Sequence, residues 1–237
     1  MKAFLYGAAL QWRLDLRSRA LLIACYLVPL LFFAVMGGIF TAVQPEMRAT
    51  LTGAMTVFGV TMGAFIGVPP SLTELYGGGI QKVYRINGVP AWLGVALCGV
   101  SAFAHLLLMS LVIWFAAPAA FGAAVPAQPW AYFVRLAALL AASLSWASAA
   151  GLAVRDPAKA TTAAMLLFLP SILLSGILFP ASLLPAPLRF LGRLLPAWWG
   201  ARLLADGGGW SGVLPLLAQL ALGAAACAVL LRRIRTR

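Results

Sequence analysis

The chain has 237 residues, of which 63% are hydrophobic and 9% charged, and its formal net charge is +12. A soluble domain averages roughly 45–50% apolar and about 25% charged residues, so this composition excludes an ordinary water-soluble protein, which would face water with a large apolar surface. The bases flank apolar stretches instead of forming a patch, so the charge reads as a membrane-topology signal and not as a nucleic-acid surface.

Stretches without Asp, Glu, Lys or Arg run over residues 20–45, 49–73, 86–134, 136–154, 160–188 and 207–231. A membrane-crossing helix needs about 20 apolar residues, so each stretch holds one span. The predicted fold is an all-α integral membrane protein, a single transmembrane domain over 1–237, with spans at 20–40, 51–70, 91–117, 131–154, 160–179 and 211–231.

Residues 1–19 predict an amphipathic helix lying in the membrane interface. Phe4, Leu5, Ala8, Trp12 and Leu16 fall at helical spacing, with Trp12 expected at headgroup level. Arg13, Asp15, Arg17 and Arg19 take other faces, and Asp15 and Arg19 stand at the spacing of a favourable i,i+4 pair. The segment Ala3 to Leu10 is too short for a cleavable signal, so the first span reads as an uncleaved anchor.

In the second span Gly59, Gly63 and Gly67 share one face and predict a close helix–helix contact, either within one subunit or across a dimer seam. Thr52, Thr56 and Thr61 are expected to bond their own helix backbone. Pro69-Pro70 is expected to end this span. Ser71 and Glu74 then stand in capping-box spacing and predict a new short helix, which Gly77 to Gly79 interrupt. A second short segment, Ile80 to Ile86, carries Lys82 and Arg85 and stops at Asn87-Gly88 and Pro90. Residues 71–90 thus read as a structured elbow between two spans.

The third span contains His105, the sole histidine, which reads either as a proton relay or as a packed neutral imidazole with one hydrogen bond. Pro118 to Trp130 reads as a loop. The fourth span places Ser143, Ser145 and Ser148 among alanines, a composition suited to close packing. After the fifth span, residues 180–210 are too Pro-rich to span and too apolar for an ordinary loop. Leu188, Leu191 and Leu195 share one face there and Arg189 and Arg193 another, which predicts helical pieces resting in or dipping into the outer interface. Cys25, Cys98 and Cys227 lie in three different spans and read as packing residues.

Twelve basic residues fall on the side of the two termini (Lys2, Arg13, Arg17, Arg19, Lys82, Arg85, Arg155, Lys159, Arg232, Arg233, Arg235 and Arg237) against five on the other. This excess predicts that both ends are cytoplasmic.

The acidic residues are Asp15, Glu46, Glu74, Asp156 and Asp206, none of them within a predicted span, which argues against ion-gradient coupling through an intramembrane carboxylate. The chain has no G-x-S-x-G and no Gly-Lys dipeptide, so neither a nucleophile elbow nor a phosphate-binding P-loop is expected. No catalytic, metal or cofactor-binding residue is therefore assigned. An intramembrane enzyme would need His105 to meet Ser143, Ser145 or Ser175. That reading, and a non-transporting membrane scaffold, stand as alternatives.

Two segments carry a family resemblance. In LPSILLSGILFPASLLPAPLRFLGRLLPAWWGARLL, residues 169–204, stand Ser175-Gly176, Phe179-Pro180, Leu184-Pro185 and Leu195-Pro196, followed by the basic Arg202. In GIQKVYRINGVPAW, residues 79–92, stand Gly79, Lys82, Arg85 and Pro90. Both resemble the permease subunits of type-2 ABC exporters, and the number and order of spans agree over essentially the whole chain. Glu74 lies five residues before Gly79, whereas the family's acidic residue stands one to three before that glycine. The resemblance implies a bacterial inner-membrane, multi-pass permease that pairs with a second permease copy, as a homodimer or related heterodimer. It implies a separate ATPase subunit that carries the ATP and Mg. Coupling is then expected through Arg13, Asp15 and Arg17 of the N-terminal helix and through Glu74, Gly79, Lys82 and Arg85 of the elbow. Residues 180–210 correspond to the family's external re-entrant element, which accounts for the arginines there. The pathway is expected between the second and fifth spans of the two subunits, with Met62, Phe65, Phe168 and Ser171 as candidate lining.

Overall fold

Runs of Ala, Leu, Val and Phe fold as helices here because a helix satisfies every backbone N–H and C=O within its own segment, as a chain surrounded by lipid must. The structure, a computed structural model, describes residues 2–77, 84, 86–205 and 212–235. Among these residues there is no strand, and six helices are long and apolar enough to cross a membrane. In chain order the helices are α1 (Lys2–Asp15), α2 (Arg19–Val43), α3 (Leu51–Gly77), α4 (Trp92–Phe121), α5 (Pro129–Ala153), α6 (Pro157–Ser175), α7 (Ala186–Arg193), α8 (Pro196–Leu204) and α9 (Val213–Arg235). The spans are α2 to α6 and α9.

α3 is the centre of the molecule. Of its most apolar eighteen-residue stretch 89% is buried, against 22% for α9 and 28% for α6. It packs against α4, α5, α6 and α8, and α5 in turn packs against α8 and α9.

Pro69 and Pro70 do not end this span at residue 70. The helix runs through them to Gly77, so Ser71 and Glu74 lie inside it and form no cap. The reason lies one turn earlier, where Gly63–Gly67 form a π-helical turn. A proline ring normally clashes with the carbonyl four residues before it, and the wider turn opens that space. α2 repeats the device, with a π turn at Ile23–Leu27 just before Pro29. The two π turns face each other across the bundle.

The third span also continues past its expected end at 117, through Pro118 to Phe121. Gly122, at φ 60°, closes it, with its own N–H bonded to Pro118 and that of Ala123 to Ala117. This double bond pattern satisfies the carbonyls of Ala117 and Pro118 at the helix end. α9 likewise extends beyond 231, carrying Arg232 and Arg233 on helix. Shifts of this kind at the ends follow from capping, which hydropathy does not report.

The segment expected as one external element, 180–210, is two unlike helices as far as it is described. α7 is exposed almost throughout, whereas α8 is driven into the bundle, with Ala197 and Trp198 fully buried against α3, α5 and α6.

Candidate functional site

Gly79, Lys82 and Arg85 lie outside the described residues; the two shoulders of their elbow do not. Glu74 is exposed on the last turns of α3. Two turns of the same helix end hold it in place. Thr73 Oγ1 donates to Pro69 O at 2.9 Å and to Gly151 O of α5 at 3.0 Å. A Cβ on Gly77 would lie 2.7 Å from Arg155 O, so only glycine allows this approach of α3 to the end of α5. Tyr76 is the pin between shoulders. Its hydroxyl donates to Ala91 O and accepts from Val95 N at 3.1 Å, both at the start of α4. On the far shoulder Gly88, at φ 67°, makes the turn expected of Asn87-Gly88, with Val89 N bonded to Tyr84 O at 2.9 Å. A cavity of about 330 Å³ opens at this end of the bundle, lined by Tyr76, Gly77, Arg155 and Arg233 among others.

α1 departs from the expected interfacial helix. Arg13 and Arg17 are exposed, but Trp12 is turned inward and stacks on His105 of α4, ring centroids 3.8 Å apart and planes 5° from parallel. Leu5 and Leu16, expected on the same face as Trp12, point outward. Asp15 makes no ion pair with Arg19. It is 6% exposed, accepts from Ser101 Oγ at 2.5 Å and from Gln11 Nε2 at 2.8 Å, and so places a carboxylate within the bundle although no predicted span contains one. A buried carboxylate is tolerated when polar partners surround it, and α4 supplies one through Ser101. His105 Nδ1 lies 2.8 Å from Tyr26 Oη of α2, while its Nε2 is buried without a hydrogen-bond partner among the described residues. Tyr26, Ser101 and Tyr76 are the residues that sequence reasoning missed, and Trp12, expected at headgroup level, lies on His105 instead. Their signal was faint but present: polar tips in otherwise apolar helices, each needing a buried partner.

The glycine face is a contact within the subunit. A Cβ on Gly63 would meet Leu106 at 2.2 Å, one on Gly59 would meet Met109 at 2.6 Å, and one on Gly67 would meet Cys25 at 3.3 Å. The face therefore seats α4 and α2 together. Of the candidate lining residues, Met62 and Phe168 are half-buried, beside an aromatic row in which Phe32 stacks on Phe58 and Phe58 meets Phe168 edge-on. Phe65 and Ser171 are buried inside the single chain, the serine hydroxyl bonded to Leu167 O at 2.6 Å, so neither reaches its surface.

At the other end, Ser175 Oγ donates to Ile172 O at 2.7 Å and accepts from Ile177 N at 3.3 Å. Gly176, at φ 90°, then turns the chain out of α6. Phe179 and Pro180 are exposed, Pro185 precedes α7, and buried Pro196 begins α8, where its missing N–H costs nothing. Trp199 Nε1 donates to Arg193 O at 2.8 Å and Gln219 Nε2 of α9 donates to the same oxygen at 3.3 Å. Arg202 lies over the Trp198 ring, 4.4 Å from its centroid.

A sequence model of the ABC-2 type transporter family matches residues 3–207. The chain belongs to this family. No curated protein matches it.

As an ABC-2 transporter membrane domain the chain is a permease: a multi-pass transport subunit and not itself a catalyst. Among the described residues no serine hydroxyl bonds His105: its Nδ1 meets Tyr26, Ser143 Oγ is buried without a hydrogen-bond partner, and the hydroxyls of Ser145 and Ser175 are bonded to Ala142 O and Ile172 O of their own helices.

Proposed function

We propose that this permease is the membrane half of an ATP-driven exporter, inserted in a bacterial inner membrane with both termini cytoplasmic. A second permease copy completes the pathway, and a separate ATPase subunit, which holds the ATP and Mg, docks beneath the elbow. The observation that carries the reading is the central helix α3. It is buried over most of its length, unbroken at its prolines, and pinned by Thr73 and Tyr76 to α5 and α4 at the elbow. A push on the elbow therefore moves the helix that the rest of the bundle packs against. Such a bistable bundle is what nucleotide state would bias between inward- and outward-open forms.

Arg13, exposed on α1, Arg17, exposed in the turn after it, and Glu74, exposed on α3, supply charge for the ATPase contact alongside Gly79, Lys82 and Arg85. Asp15 serves instead as the tie of α1 to α4. The pathway runs along the surface where Met62 and Phe168 emerge, with Phe65 and Ser171 behind them. Ser175 to Pro180, Pro185 and Pro196 shape the outer element above it.

The test is the double variant Lys82→Glu with Arg85→Glu, purified together with the cognate ATPase. Transport into inverted vesicles should fall about tenfold or more while ATP hydrolysis and membrane insertion persist, the signature of lost coupling through a charged contact. Transport at the wild-type rate would remove the elbow from the mechanism.

A further inference from the structure

α4 and α9 both pack on α5 yet barely touch each other. The gap between them is a groove of about 500 Å³. Its floor is α5, at Ala141, Ser145 and Ser148, and small residues on both walls, Gly99 on α4 and Ala224 on α9, hold it open. Its surface is almost wholly apolar. A Cβ added at Gly99 would meet nothing within 4 Å, so the space there is real.

The groove runs on toward the elbow. Trp92, Ala228 and Leu231 line it and also line a second cavity of about 590 Å³ at the elbow end of the bundle. The second cavity is of a different kind. Tyr76, Tyr84 and Arg232 contribute to its wall, and Trp92, 55% exposed, stands at the junction. An apolar slot thus leads into a chamber with a guanidinium and phenol groups. Arg is the side chain best shaped for a phosphate, and a tryptophan at the boundary of apolar and polar zones marks headgroup depth.

We propose that this double cavity is a binding site for an anionic phospholipid. One acyl chain lies in the slot between α4 and α9, and the phosphate sits in the chamber at Arg232. The site is structural and is separate from the transport pathway. Lipid wedged between α4 and α9 fills the space that neither helix closes, and it ties the start of α4, where Tyr76 pins the elbow, to the basic end of α9. Burying a chain there gains contacts that a fluid annular lipid does not keep.

The experiment is native mass spectrometry of the full chain released from nanodiscs of equimolar phosphatidylglycerol and phosphatidylethanolamine. The wild type should retain one phosphatidylglycerol per chain, in preference to phosphatidylethanolamine by about tenfold. Gly99→Leu puts a side chain into the slot, its Cβ clear of every neighbour, and should lower that retention about tenfold, with thermal unfolding no earlier than wild type. Arg232→Gln should keep a phospholipid and lose the headgroup preference. Equal retention by wild type and Gly99→Leu would overturn the proposal, as would a wild type indifferent to the headgroup. Neither result depends on transport or on the ATPase, so the exporter reading stands or falls separately.

Discussion

α3 and α9 are both apolar enough to cross a membrane, and the more hydropathic of the two is the one left outside. α9 has a mean hydropathy of 2.2 in its best window and is 22% buried, whereas α3 has 1.7 and is 89% buried. In water this order would be inverted. In lipid, apolar side chains gain little by leaving the solvent, and what needs a protein partner is the helix with hydroxyls and glycines. α3 carries both. Thr56 is buried against the Tyr132 hydroxyl at 2.9 Å, and a Cβ on Gly53 would lie 2.1 Å from Leu204 O. The lesson is that hydropathy finds the spans, while small and polar residues decide which of them is the core.

The contrast can be broken hardest at Gly63. Gly63→Leu forces a side chain into Leu106 and the facing π turn, and should destabilise the chain by about 3 kcal/mol or more, read as thermal unfolding in detergent. A variant that melts with the wild type would mean that α3 is not seated as described. A smaller effect is expected at the pin of the elbow. Tyr76→Phe removes both bonds to the start of α4 and should cost about 1–2 kcal/mol in the same measurement. No loss would show that the shoulders are held together by something else. The smallest belongs to α9. Leu222 is 62% exposed on its outer face, so Leu222→Ala should change stability by no more than about 0.5 kcal/mol. A loss several times larger would place that face against protein and remove the distinction between the two helices.

Much of this was legible beforehand. The spans were marked by the absence of charge, and the glycine face of α3 by its four-residue spacing, because both are local patterns. Pro69-Pro70 misled for the same reason. Locally two prolines end a helix, and the π turn that admits them, packed against that of α2, is not written in the prolines themselves. Asp15 misled in another way. Its neighbours in sequence offered Arg19, but α4 offered Ser101, and a buried short bond prevailed over an exposed pair that water screens.

The sequence by itself determined that the chain is a helical membrane protein and where its spans begin, since a charge-free run of about 20 residues has few other fates. It also carried the family, whose sequence model matches residues 3–207. Only the tertiary structure decided that α8 enters the bundle while α7 stays out, and that Trp12, His105 and Tyr26 meet. Those outcomes depend on contacts between residues far apart in the chain, and lipid, which accepts any apolar face, imposes no rule from which they could be read in advance.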